Sequence, residues 1–339
     1  MCTAHGRYER GIDTEPPYNL ALYGMAPSLE SFAHCHDASY ASVFGARTAV
    51  PIAAGQHFHW QNWTYVVPGE PACSDANYAN WCDAFANRSV LLVGDSLMEH
   101  QVISLLALLS LAAPPRAGAA PPRKFDAALA RRVLRLDIDG TPKPVCGGRG
   151  TIGFVRNDYA CEQGWAAECT TRGAGGSNRR PFAAAASRYD TLVLNAGVHV
   201  LASSRVAVHA EALARWLNGT GHSAIWRTAV PGHVSCQNAS APLSRHYSPL
   251  DGAGKDVYGW GQVEEHNRLR ASVFDRILGS GRMRYLDAAA IANRRADRHL
   301  LFRPKHNLSA PYAVFDCLHY CLPGPPDDVR VWDLNPRAP

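Results

Sequence analysis

The chain has 339 residues, of which 47% are hydrophobic and 19% are charged. This composition is too apolar for a disordered protein and is sufficient for one sizeable buried core. The formal net charge is +5, but the basic residues are interspersed with acidic ones, which argues against nucleic acid as the main partner.

The N-terminus is polar and charged, and it contains no apolar segment that would act as a signal peptide or anchor. The longest apolar run, at residues 102–113, is well short of the ~20 residues that span a bilayer. It predicts a buried helix instead.

The first part of the chain is rich in Cys, His, Trp and Pro and shows little periodicity. This is typical of an irregular segment held by disulfides, so we expect an N-terminal subdomain at residues 1–85. Trp60, Trp63 and Trp81 lie in it, and such tryptophans more often fill a core than stack on sugars. Residues 86–339 are expected to form the catalytic domain.

Apolar strands and helices alternate from residue 89 onward. The run SVLLVG at 89–94 predicts a buried strand, and a helical pattern follows it directly. The alternation recurs at residues 191–220, 223–230 and 263–291. It predicts an α/β fold of three layers, in which helices cover both faces of a central parallel sheet.

Cysteines and glycosylation sequons indicate an oxidising compartment. The ten cysteines include no C-x-x-C pair, which favours up to five disulfides over a zinc knuckle or a thioredoxin motif. Asn-x-Ser/Thr sequons begin at Asn62, Asn87, Asn218, Asn238 and Asn307. We therefore expect a lumenal or extracellular protein of the secretory pathway, whose targeting segment is missing from this sequence.

Gly94, Asp95 and Ser96 stand where the first predicted strand ends and its helix begins. A doubly wound sheet presents ligands at this point, and main-chain N–H groups such as that of Ser96 stabilise an oxyanion there. We therefore predict that Ser96 is a nucleophile. The same tripeptide also occurs in an ordinary turn with a helix cap.

Asp316 and His319 lie in FDCLHYCLPGPPDD, a stretch whose Cys, Pro and Gly content predicts a loop. A serine becomes a good nucleophile when a histidine takes its proton, and the histidine needs a carboxylate to fix its tautomer. The alternative is a zinc site that includes Cys317 and Cys321. An oxidising compartment disfavours it, so no metal is expected.

Asn195 follows the predicted strand at 191–194 and should emerge at the same sheet edge as Ser96. Its amide would serve as an oxyanion donor, although Asn is also common in strand-end turns. Arg227 would either pair with a carboxylate of the acceptor or hold the C-terminal loop in place.

Four motifs together resemble those of the trichome-birefringence-like proteins, the PC-esterase family on the SGNH/GDSL hydrolase fold. They are GDSLMEHQ at 94–101, LNAGVH at 194–199, WRTAVPGHVSC at 226–236 and DCLHYCLPGPPD at 316–327. The resemblance implies a Ser96, Asp316 and His319 triad with Asn195 as an oxyanion donor.

Family members O-acetylate cell-wall polysaccharides as type II Golgi membrane proteins. No cofactor is then expected beyond an acyl donor such as acetyl-CoA.

Two residues depart from the family pattern: Glu99 stands where Arg is common, and Tyr320 stands where Trp is common. The glycine that supplies a further oxyanion donor is left unassigned among five candidates. They are Gly147, Gly148, Gly150, Gly153 and Gly164.

Three functions remain open at this stage. The first is an O-acetyltransferase that forms an acyl-enzyme at Ser96, and the second is a carbohydrate esterase with the same triad and water as acceptor. The third is a non-catalytic carbohydrate-binding protein on the same fold.

Overall fold

The computed structural model describes residues 7–10, 63–66, 82–83, 85–112, 137–166, 169, 180–197, 199, 202–234, 236, 239, 241–247, 259–300 and 316–320. Within this part of the chain, a short antiparallel pair joins strand β1 (Arg7–Arg10) to strand β2 (Trp63–Val66). No finding tests the expected division at residue 85, which stays a prediction.

A six-stranded sheet forms the centre of the fold, in the order β4-β5-β3-β6-β7-β8. Its strands are β3 (Ser89–Gly94), β4 (Lys143–Val145), β5 (Gly150–Arg156), β6 (Thr191–Leu194), β7 (Ser223–Arg227) and β8 (Met283–Leu286). A separate antiparallel pair consists of β9 (His299–Leu300) and β10 (Asp316–Tyr320).

The α-helices that this part of the chain forms follow the strands. They are α1 (Ser96–Ala112), α2 (Ala183–Ala186), α3 (Ser203–Thr220), α4 (Val263–Leu278) and α5 (Ala288–Ala292). No helix within the described ranges is long and apolar enough to cross a membrane.

Successive residues of β3 point to opposite faces of the sheet, because side chains alternate along a strand. Val90 and Leu92 join a core cluster that includes residues of α1 and α5. Leu91 and Val93 join a second cluster that includes residues of α3 and α4. These four side chains are fully buried. The expected α/β arrangement is confirmed, with helices on both faces of the sheet.

The sheet is mixed, whereas the sequence predicted a parallel one. β3 runs parallel to β5 and β6, but the edge strand β4 pairs antiparallel with β5. The turn between β4 and β5 is short, and it contains the positive φ angles of Cys146, Gly147 and Gly148. A short turn joins antiparallel strands, whereas parallel strands need a long crossover.

Three disulfides lie in the described part of the chain: Cys82–Cys146, Cys161–Cys169 and Cys236–Cys317. The expected oxidised framework is confirmed for these cysteines. The other four, Cys2, Cys35, Cys73 and Cys321, lie outside the described residues. Cys236–Cys317 joins the loop after β7 to β10.

We predict that the Cys236→Ala/Cys317→Ala double variant loses more stability than Cys161→Ala/Cys169→Ala. The first disulfide links positions 81 residues apart and the second links positions 8 apart. Loop-closure entropy gives about 4.5 and about 2.5 kcal/mol for these separations. Urea unfolding followed by tryptophan fluorescence measures both losses, and equal losses would contradict the entropic explanation.

Candidate active site

The β3–α1 junction is held by a helix cap. Asp95 Oδ1 accepts hydrogen bonds from the main-chain N–H groups of Leu97, at 3.0 Å, and Met98, at 3.3 Å. A side-chain cap of this kind satisfies N–H groups that the first helical turn leaves without partners. The Ser96 N–H takes no part in this cap, and it lies at the positive end of the helix dipole.

Gly94 permits the close approach on which this junction depends. A Cβ at Gly94 would lie 2.7 Å from Cβ of Met98 and 3.2 Å from Cβ of Asn195. A larger residue would therefore push β3 away from α1 and from the end of β6. The glycine of the GDS motif has a packing role beside its role in the turn.

Ser96 and His319 are in hydrogen-bonding contact, although 223 residues separate them. His319 Nε2 lies 2.7 Å from Ser96 Oγ. Ser96 is 8% exposed and His319 is 5% exposed, so the pair lies just beneath the surface. This distance is the one that a serine nucleophile and its general base require.

His319 is positioned by β10, where the sequence predicted a loop. β10 pairs with β9 around an irregular register between Asp316 and Tyr320. The Cys236–Cys317 disulfide and a 2.9 Å hydrogen bond from the His233 N–H to the Cys317 carbonyl also hold the strand. The partner strand supplies hydrogen bonds that local composition does not reveal.

The third member of the predicted triad, Asp316, is the first residue of β10 and pairs with Leu300 in the register. Its side chain lies outside the described part of the structure. Its role as the partner of His319 therefore stays a prediction.

Asn195 lies at the same sheet edge as Ser96. It follows β6, where Leu194 pairs with Val93 of β3, and it is 1% exposed. Its Nδ2 donates to the Arg227 carbonyl at 3.1 Å. One of its two N–H groups is thus occupied, and its oxyanion role rests on the other.

Arg227 ends β7 and is buried, at 3% exposure. Burial lowers the pKa of its guanidinium to about 10, while Asp95 and Tyr320 act in the opposite direction. A guanidinium at this depth is poorly placed to bind a carboxylate of an acceptor. The groups that act on its charge are Asp95, which caps α1, and Tyr320, which lies next to His319 in β10.

Asp95 is surrounded by buried cations that the sequence analysis did not single out. Arg270 of α4 is 3% exposed, and its guanidinium lies 5.6 Å from the centre of the Trp226 ring. Burial lowers the pKa of Arg270 to about 10, and the Asp95 carboxylate opposes this effect. The Asp95 carboxylate thus favours the charged form of both Arg227 and Arg270.

Glu99 stands one turn after Ser96 and forms an ion pair with Arg156 at the end of β5, at 2.6 Å. Arg156 also contacts Asp158, at 2.5 Å. Burial alone would lower the pKa of the Arg156 guanidinium. The carboxylates of Asp158 and Glu99 have the larger combined effect, so the pKa is raised. A cation thus lies beside Glu99, the position where the resemblance led us to expect an arginine.

The five glycines considered as a further oxyanion donor lie at different positions relative to the sheet edge that carries Ser96. Gly147 and Gly148 lie in the turn between β4 and β5, Gly150 begins β5, and Gly153 lies in its middle. Ser96 follows the carboxyl end of β3, which is parallel to β5. Among the five candidates, Gly164 is the one that follows the carboxyl end of β5.

Two cysteine groups bear on the zinc alternative. The sulfur of Cys317 forms a disulfide with Cys236, and a disulfide sulfur is not the thiolate that zinc binds. Within the described residues, Cys161, Cys169 and His209 come close enough to hold a metal ion. Cys161 and Cys169 also form a disulfide.

We predict that Asp95→Asn destabilises the protein by about 1 kcal/mol, because it removes the negative charge that favours the buried guanidinium groups of Arg227 and Arg270. The Asn side-chain oxygen still accepts the cap hydrogen bonds, so the loss of unfolding free energy measures the effect of the Asp95 charge. Asp190→Asn is the matched control, since Asp190 is exposed and accepts hydrogen bonds from Ser89 at the opposite end of β3. Equal losses of unfolding free energy would contradict the electrostatic role.

Residues 178–332 match the model of a family described as "PC-Esterase: GDSL/SGNH-like Acyl-Esterase family found in Pmr5 and Cas1p". The chain is also 24% identical over 330 residues to "Probable xylan O-acetyltransferase 11" of Oryza sativa subsp. japonica. That alignment covers 84% of this chain and 77% of the relative.

Proposed function

The chain carries a PC-esterase domain of the GDSL/SGNH-like acyl-esterase family, and on this premise we propose that it is a serine-dependent O-acetyltransferase. The acceptor is a hydroxyl group of a cell-wall or extracellular polysaccharide. The observation that carries the proposal is the 2.7 Å contact between His319 Nε2 and Ser96 Oγ. The name of the rice relative supports acetyl transfer to a polysaccharide.

In the first half-reaction, His319 Nε2 takes the proton of Ser96, and Oγ attacks the carbonyl carbon of the donor. The negative charge that develops on the carbonyl oxygen is stabilised by the Ser96 N–H at the helix N-terminus and by the Asn195 amide. His319 then returns the proton to the leaving group of the donor. The product is an acetyl ester on Ser96.

In the second half-reaction, a sugar hydroxyl gives its proton to His319 and attacks the acetyl ester. The bond to Ser96 Oγ breaks, and Oγ recovers the proton from His319. For Nε2 to accept a proton, the neutral imidazole carries its hydrogen on Nδ1. Asp316 is the proposed acceptor of that hydrogen.

We predict that Ser96→Ala lowers acetyl transfer by about 10³-fold or more, because the variant forms no acyl-enzyme. Mass spectrometry of protein incubated with an acetylated donor should show one acetyl group on Ser96. Ser203→Ala is the matched control, since Ser203 Oγ lies 3.2 Å from His266 Nε2 but outside the proposed site. A Ser96→Ala protein with full turnover would overturn the proposal.

A carbohydrate esterase with water as the final acceptor is the second candidate, because the matched family is described as acyl-esterases. The two reactions share the acyl-enzyme and differ in what attacks it. Incubation with labelled acetyl donor and a xylan oligosaccharide distinguishes them. Labelled oligosaccharide supports the transferase, and free acetate without transfer supports the esterase.

The third candidate, a non-catalytic carbohydrate-binding protein, is distinguished from the two enzymes by the reactivity of Ser96. The proposed nucleophile should react with a fluorophosphonate probe, and the label should map to Ser96. Sugar binding without any labelling of Ser96 would favour the non-catalytic function.

We further propose that the protein acts in the secretory pathway. Asn87 and Asn218 begin sequons and are both exposed, so both should carry glycans after expression through the endoplasmic reticulum. Peptide N-glycosidase should lower the mass, and Asn218→Gln should remove one glycan. Lack of any glycan on either residue would contradict the proposed location.

A further inference from the structure

A chain of hydrogen-bonding contacts leads from the loop after β7 to the main chain of His319. His233 Nε2 lies 2.5 Å from the Asn293 carbonyl oxygen, and His233 Nδ1 lies 2.6 Å from His299 Nε2. His299 Nδ1 lies 3.0 Å from the His319 carbonyl oxygen. Both imidazoles are fully or almost fully buried.

Counting hydrogens shows that two neutral imidazoles do not satisfy this chain. Each end is a carbonyl oxygen, which only accepts, so the nitrogen facing it must carry a hydrogen. The nitrogen–nitrogen contact in the middle requires one hydrogen more. Three hydrogens are needed, whereas two neutral imidazoles carry two between them. The pair therefore satisfies all three contacts when it holds one extra proton and one positive charge.

We propose that His299 is an imidazolium that clamps the main-chain carbonyl of His319, and that His233 and His299 are positioning residues for the proposed base. The clamp has this role only if His319 is the base, so the inference rests on the proposed function. The proton count itself does not depend on it.

The surroundings assign the charge to His299. Burial lowers the pKa of His233 to about 4, against the effects of the Asn293 carbonyl and Asp297. With His233 as the neutral ring, its hydrogen is on Nε2 and its Nδ1 accepts from His299. The Tyr320 ring stacks on His299 with centroids 4.3 Å apart at 26°, and an aromatic face stabilises a cation.

Other charged and titratable groups surround the pair. Those of the neighbouring segments are Arg295, Asp297, Arg298, Tyr247, His319, Tyr320 and, from α1, His100. Asp297 is the acid among them, and it is paired with Arg295 at 2.8 Å. These two charges offset each other, and the remaining cation, Arg298, opposes a further positive charge. The extra proton is therefore held by its hydrogen bonds.

The clamp gives the reaction a second dependence on pH. The proposed base must be neutral to accept the proton of Ser96. At higher pH the pair loses its extra proton, and one of the three contacts is left without a hydrogen. His319 is then held less firmly against Ser96, and the rate falls. The fall in rate on the high-pH side of the profile therefore reports the loss of the proton from His299.

The first test is ¹⁵N NMR of histidine-labelled protein without substrate. At pH 7, His299 should show two protonated ring nitrogens and His233 one, with His299→Gln and His233→Gln providing the assignments. A His299 ring with a single protonated nitrogen would overturn the inference. The NMR measurement needs no enzyme turnover, so its result is independent of the Ser96→Ala result. It also tests the protonation state of His299 if one of the two variants does not fold.

The second test is the pH profile of acetyl transfer by His299→Gln. We expect kcat to fall about 10-fold near neutral pH with little change in KM, and the fall in rate on the high-pH side to disappear. His222→Gln is the control, because His222 precedes β7 at the opposite sheet edge. An unchanged rate and profile in His299→Gln would overturn the positioning role, whatever the NMR result.

Discussion

The proposed chemistry depends on one contact between distant parts of the chain, the hydrogen bond between Ser96 Oγ and His319 Nε2. Ser96 is placed by a local structure, the turn from β3 into α1. His319 is placed by β10, which a disulfide and a main-chain hydrogen bond attach to the loop after β7. The attachment of β10 to that loop therefore helps to set the distance between Ser96 Oγ and His319 Nε2.

Buried charge accompanies this contact. Asp95 caps α1 directly before Ser96, and Arg227 and Arg270 approach it from β7 and α4. Burying charges without partners is costly, so the three groups constrain one another and the elements that carry them. The nucleophile thus stands on a junction fixed by electrostatics as well as by hydrogen bonds.

Parts of the fold were predictable where the signal is local. The run at residues 89–94 is long and apolar, and β3 occupies those residues. β4, β5 and β10 were missed. β4 and β10 are short and lack an apolar pattern, and glycines at 150 and 153 interrupt the apolar residues of β5. β10 extends through a segment whose cysteines and following glycine and prolines predicted a loop, and its pairing with β9 outweighs that local preference.

By itself, the sequence predicted the residues of the proposed chemistry: Ser96 after a buried strand, Asn195 after another, and His319 in a cysteine-bounded motif. Residue types and their nearest neighbours are enough for that assignment. Only the tertiary structure decided that His319 reaches Ser96, that Arg227 is buried, and that His233 and His299 link to the main chain of His319. These contacts join residues far apart in the chain, and packing of the sheet and its loops, which local composition does not encode, brings them together.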